Sequence, residues 1–85
     1  MTWAVQLARR AERALKNAPT SDRARLLTAL TAMRDNPFSG DIARLKSEPA
    51  AFRRRVGNWR IFFDVHPGRH IVAVVDIRRR TSTTY

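Results

Sequence analysis

Residues 52–66 contain two strand-like segments joined by only two residues, and this stretch constrains the chain more than any other. Phe52-Arg53-Arg54-Arg55-Val56 runs into Gly57-Asn58, and Trp59 through His66 follow. The second segment alternates. Trp59, Ile61, Phe63 and Val65 fall on one face, and Arg60, Phe62, Asp64 and His66 on the other. A Gly-Asn connection between two such segments predicts a tight β-hairpin. Side chains alternate along a strand, so Arg53 and Arg55 share a face, and the turn returns Arg60 across from them. Trp59 and Phe63 are expected in the core. Phe62 lies on the Arg60 side.

The rest of the chain is read outward from this hairpin. His66-Pro67-Gly68-Arg69 has Pro and Gly in the central positions of a type II turn. A last strand is expected at about 70–79, with Ile71, Ala73, Val75 and Ile77 on one face. At the other end, residues 2–7 alternate through Trp3, Val5 and Leu7 as a short strand. The period then changes to a helical one, with Leu7, Ala11, Ala14, Leu15 and Ala18 on one stripe. Pro19 stops that helix, and Thr20 or Ser21 is expected to cap a second with Asp22 in its first turn. Leu26, Leu27, Leu30 and Met33 form the second stripe, and Asn36-Pro37 ends it. Residues 38–51 carry Pro, Gly and Ser and read as a connecting loop, with Ile42 and Leu45 as anchors. The expected order is β-α-α-β-β-β, an α+β fold. An N-terminal helical hairpin packs on one side of a small, mostly antiparallel sheet.

The chain has 85 residues, which suits one domain over 1–85. A domain of this size buries roughly 60–65% of the surface its unfolded chain exposes. With no cysteine, disulfides and thiolate metal sites are excluded. The start, Met1-Thr2-Trp3-Ala4-Val5, reaches Arg9-Arg10 without a signal-like apolar stretch, and no run approaches the roughly 18 apolar residues of a membrane span. A cytoplasmic protein is expected. The net charge is +10. Residues 51–85 hold eight arginines, at 53, 54, 55, 60, 69, 78, 79 and 80, against Asp64 and Asp76. Arginine, not lysine, dominates throughout, and its planar fork matches phosphate oxygens bidentately. This balance points to a polyanionic partner, above all RNA, with an acidic protein or an anionic surface as alternatives.

Arg53, Arg55 and Arg60 on one hairpin, with Arg78-Arg79-Arg80 ending the neighbouring strand, bring like charges together. That is costly unless an anion relieves it. The alternative use of such charge is to keep a sheet edge from aggregating. Tyr85 follows Arg80 by five residues. Nearby guanidinium charge favours its phenolate, which suits proton transfer with a hydroxyl. It can equally stack on a base or stand free. His66 and His70 flank the Pro-Gly turn without a carboxylate pair, which is a poor metal set, and no cofactor motif is present.

The stretch Asn36-Pro37-Phe38 through Leu45, the hairpin from Phe52 to Phe63, and Ile77-Arg78-Arg79-Arg80 with a closing Tyr85 together resemble the RelE/ParE superfamily of bacterial type II toxins, the RelE branch in particular. The resemblance covers nearly the whole chain. It implies a microbial RNase-like fold and, for that branch, metal-independent cleavage of mRNA in the ribosomal A site through attack by the 2′-hydroxyl. Beside Arg78 and Arg79, expected from the charge pattern as further phosphate contacts, the resemblance implies by position that Arg53 and Arg55 orient the RNA backbone. It implies that Arg60 stabilises the scissile phosphate, that Arg80 (with Arg79 as rival) assists the leaving group, and that Tyr85 acts as base or stacks. RelE carries lysines where this chain has Arg53 and Arg55. Arginines hold phosphate charge but do not serve as bases. A further C-terminal helix found in some relatives is not expected. The resemblance also implies an antitoxin partner, acidic and partly disordered, that folds over the basic site. A ParE-like inhibitor of DNA gyrase on the same fold, or a basic domain that only binds RNA, are the other readings.

Overall fold

The computed structural model describes residues 2–47 and 49–80. Strand β1 (Ala4–Leu7) leads into helix α1 (Arg9–Asn17) and helix α2 (Thr20–Asp35). Four strands follow, β2 (Asp41–Arg44), β3 (Phe52–Val56), β4 (Trp59–His66) and β5 (Ile71–Arg79). They form a five-stranded sheet in the order β1-β5-β4-β3-β2, antiparallel except that β1 pairs parallel to β5.

Both helices lie on one face of this sheet. Ala11 of α1, Ala18 just past its end, and Leu26, Ala29, Leu30 and Met33 of α2 are buried against Trp59, Ile61, Phe63, Val72, Val74 and Ile77. The expected α1 stripe is the buried one. In α2, Ala29 takes the place expected for Leu27, which is 47% exposed. Positions 26, 29, 30 and 33 recur at helical spacing, whereas 27 sits a quarter-turn away. Pro19, rather than Thr20 or Ser21, occupies the N-cap position of α2, and no side chain caps that end. Instead, the Arg23 guanidinium donates to the Lys16 and Ala18 carbonyls, at 3.2 and 3.0 Å, and closes the C-terminal end of α1.

Three further expectations are corrected. Residues 41–44 are a strand, not loop. Only Ile42 favours β structure there, but β3 would otherwise expose an edge of unpaired backbone groups, and Asp41–Arg44 pair with Arg55–Phe52. The Pro67 turn is a 3-10 turn over Pro67–Arg69, and the left-handed residue is His70 (φ 58°), not Gly68. His70 stacks on Trp3 with ring centroids 4.2 Å apart, and its carbonyl accepts from the Ala4 N–H. This contact compensates the strain and ties β1 in place. Finally, Val72, Val74 and Ile77 of β5 are buried, whereas Ile71, Ala73 and Val75 are only half-buried. Phe62 pairs with Asp76 but Phe63 with Val74, so Val75 is an unpaired bulge residue. A bulge inserts one residue and flips the strand's alternation beyond it.

Candidate functional site

The face of the sheet turned away from the helices carries the arginines. Arg55 of β3 pairs with Arg60 of β4, which pairs in turn with Arg78 of β5. Opposed residues in antiparallel strands lie about 5 Å apart at Cα, so three guanidinium side chains stand in a row across three strands. The next row is Arg53, Phe62 and Asp76. The Gly57-Asn58 turn sets this register. Gly57 adopts φ 59°, and Val56 pairs with Trp59 directly beyond the turn. Like charges directly opposed destabilise a sheet, so each arginine's partner decides what the row can do.

Asp41 of β2 stands opposite Arg55 and lies 3.9 Å from its guanidinium and 3.6 Å from that of Arg53. These are loose contacts to a half-exposed carboxylate, which water screens. Asp76 is different. Its side chain is only 6% exposed. One oxygen accepts the Ile77 N–H at 2.8 Å, and the other accepts Arg78 Nε at 2.7 Å. The Arg78 guanidinium also lies over the Phe62 ring, 5.1 Å from its centroid. Phe62 is buried, which resolves its assignment: it forms an apolar floor beneath the arginines. Arg10, from the first turn of α1, approaches Asp76 at 3.8 Å. Arg60, at the centre of the row, has no ion pair or hydrogen bond among the described residues, and its Nε is buried without a partner.

The sequence-expected residues therefore separate. Arg53, Arg55, Arg60 and Arg78 are brought together. Arg79 is not. It pairs with Trp59 on the helix-side face, and its guanidinium lies 5.7 Å from the indole centroid. Arg80 is exposed just past β5, with its N–H bonded to the Asn58 carbonyl at 2.5 Å beside the hairpin turn. Tyr85 lies outside the described residues. Arg54 faces the helices, where it donates to the Ala29 carbonyl at 3.4 Å and to Ser39 Oγ at 3.2 Å. Burial pushes its pKa below the ordinary arginine value. His66 is exposed and His70 is bound up with Trp3, and no group of three or more metal-ligating side chains occurs among the described residues. Among the described residues, no helix is long and apolar enough to cross a membrane.

Sequence reasoning passed over Asp41, Asp76 and Arg10. Asp76 carried a usable signal, since it is the one carboxylate in the apolar strand that leads into the arginine triplet. Chemically, the row can bind an anion at Arg60 and hold its flanking charges on either side. A phosphodiester presents non-bridging oxygens of that size and charge, and oriented guanidinium groups stabilise further charge that builds on them.

The sequence matches the family model described as ParE toxin of type II toxin-antitoxin system, parDE, over residues 5–83. No curated protein matches it. Three solved structures illustrate the fold. The archaeal RelE of the RelE–RelB complex from Pyrococcus horikoshii superposes with a TM-score of 0.82 at 19% identity, covering 98% of this chain and 100% of that one. The toxin–antitoxin complex RelBE2 from Mycobacterium tuberculosis matches with a TM-score of 0.81 at 18% identity, covering 94% and 100%. The isolated E. coli RelE toxin matches at 0.78 and 14% identity, covering 95% and 87%. At such identities the likeness is one of fold.

Proposed function

This chain belongs to the ParE toxin family of type II toxin–antitoxin systems, within the RelE/ParE superfamily, and we propose that it acts as a ribosome-dependent mRNA endoribonuclease of the cytoplasm. The observation that carries this reading is the Arg55–Arg60–Arg78 row with Arg60, at its centre, unpaired among the described residues. Arg53 and Arg55 orient the RNA backbone, with the loosely held Asp41 giving way to phosphate. Arg60 receives the scissile phosphate. The 2′-oxygen forms a bond to phosphorus, the bond to the 5′-oxygen breaks, and a 2′,3′-cyclic phosphate results. Negative charge builds on the non-bridging oxygens during this step, where Arg60 and Arg78 stabilise it. Tyr85 takes the 2′-hydroxyl proton, Arg80 stabilises the departing 5′-oxygen, and water protonates that oxygen as it leaves. A guanidinium stays charged throughout, so the row itself supplies no base. The same basic face suits an acidic antitoxin segment that folds upon it, in keeping with the RelB partners of the similar structures.

Expression of the chain alone should arrest growth and create new mRNA 5′ ends. Tyr85→Phe and Arg60→Ala should each remove both effects. Intact mRNA in growth-arrested cells overturns the reading. The family description favours a second one, a ParE-like inhibitor of DNA gyrase. It predicts gyrase-linked DNA breaks with uncut mRNA.

A further inference from the structure

A buried carboxylate on a face that binds phosphate is a liability, because it repels the ligand and must be desolvated with its partners. Asp76 is such a group, and three features give it a use. The first is the bulge at Val75. Val72 and Val74 point into the core, so unbroken alternation would send residue 76 there too. The bulge turns it to the arginine side, opposite Phe62. The second is that both its oxygens are engaged: one holds the Ile77 N–H and the other holds Arg78 Nε at 2.7 Å. The third is what that contact leaves over. Asp76 takes only the Nε edge of Arg78, the Phe62 ring lies beneath the guanidinium, and the two η nitrogens have no hydrogen-bond partner among the described residues.

We propose that Asp76 is a positioning residue. It grips Arg78 by Nε against Phe62, so that both η nitrogens are presented to the same phosphate as Arg60. Arginine is required at 78 because only a guanidinium carries a separate Nε–H to be held while its two η nitrogens face outward. A lysine there would spend its ammonium on Asp76. Arg10, 3.8 Å from Asp76 and 69% exposed, adds screening charge and is dispensable. This assignment rests on the endoribonuclease reading for its activity arm only.

The test is a double-mutant cycle on the full chain, with Asp76→Asn, Arg78→Ala and the pair, alongside Arg78→Lys. Each is measured by mRNA 5′-end mapping in cells and by binding of a purified single-stranded RNA oligonucleotide over a salt series. Asparagine keeps an acceptor for the Ile77 N–H, so circular dichroism and melting should stay close to the unaltered chain. Asp76→Asn should lower cleavage about ten- to a hundredfold, the scale of a misplaced active-site group. RNA binding at low salt should hold or tighten as a negative charge is lost. Arg78→Lys should be as impaired as Arg78→Ala. The double variant should be no worse than Arg78→Ala alone. Cleavage by Asp76→Asn equal to or faster than the unaltered chain overturns the proposal, as does full activity in Arg78→Lys. Equal loss of melting temperature, binding and cleavage in Asp76→Asn also overturns it, because Asp76 would then serve the fold alone. If the unaltered chain cuts no mRNA, the endoribonuclease reading fails separately. The binding cycle still decides on Asp76: strictly additive affinity changes in Asp76→Asn and Arg78→Ala reject the positioning role, and non-additive ones sustain it.

Discussion

Arg53, Arg54 and Arg55 are three identical residues in a row, and the sheet gives them opposite fates. Arg53 and Arg55 face away from the helices and, among the described residues, form ion pairs only with Asp41, at 3.6 and 3.9 Å. Arg54 faces the helices. Its guanidinium joins the Ala29 carbonyl of α2 to Ser39 and packs under Gly40, where an added Cβ would come within 2.8 Å of it. Burial disfavours its charge, yet the group stays protonated. The period of a strand sorts one residue type into a latch on one side and a ligand grip on the other. The same division recurs in β5, where Arg78 joins the row and Arg79 covers Trp59. Arginine count alone therefore overstates the site.

The largest effect expected is at the centre of the outward set. Arg60→Ala should reduce mRNA cleavage about 10²–10³-fold, the cost of losing one preorganised donor to developing charge. Its melting temperature should hold or rise, since the change removes a cation flanked by two others. A variant that melts early and loses activity through unfolding would erase the distinction between grip and latch.

Next come the latch substitutions, which should act on stability. Arg54→Ala removes two hydrogen bonds and leaves their acceptors under the helix. It should cost about 1–3 kcal/mol. In a domain of this size each kcal/mol lowers the melting temperature by about 4–8 °C. Arg54→Met sharpens the point. It fills the same space without a buried charge, so it should be milder than alanine, as apolar replacements of buried ions are. Gly40→Ala should destabilise by another route. Its φ is 85° and the new methyl would meet the Arg54 guanidinium.

Much of this division was legible in the chain. Alternation through 59–66 and the Gly57-Asn58 turn were sufficient to put Arg53, Arg55 and Arg60 on one face and Trp59 and Phe63 on the other. The parallel pairing of β1 with β5, and the strand at 41–44, depend on partners distant in sequence, and neither segment announces them locally. The bulge at Val75 was equally hidden. Val72 to Ile77 is apolar apart from Asp76, so either alternation fits the pattern, and the inserted residue shows only in the register. Missing it put Ile71, Ala73 and Val75, rather than Val72 and Val74, on the face of Ile77 and concealed Asp76 as a neighbour of Phe62. Placing Arg78 and Arg79 together had a different origin, since strand alternation was not carried through the arginine triplet and adjacent residues in a strand do not share a face.

A smaller effect is expected at the edge of the grip. Asp41 offsets Arg53 and Arg55 without being buried, so Asp41→Ala should tighten RNA binding severalfold at low salt. Arg53→Ala and Arg55→Ala should each lower the slope of log affinity against log salt by about 0.7, the single-strand increment per phosphate contact. Unchanged slopes in both arginine variants would mean that the RNA backbone does not cross β3.

The smallest effect tests the sorting itself. Arg79→Ala removes a full positive charge one residue from Arg78 and Arg80, so a reading based on charge density predicts a loss of RNA affinity close to that of Arg55→Ala. The register predicts otherwise. Arg79 sits over Trp59 on the helix side, and its removal should cost only the cation–π contact, about 0.5–1 kcal/mol at an exposed site. Salt slope and cleavage should match the unaltered chain within error, while tryptophan fluorescence shifts as the Trp59 ring gains water. If Arg79→Ala instead flattens the salt slope as far as Arg55→Ala does, RNA reaches around the end of β5. The grip would then include both faces of the strand.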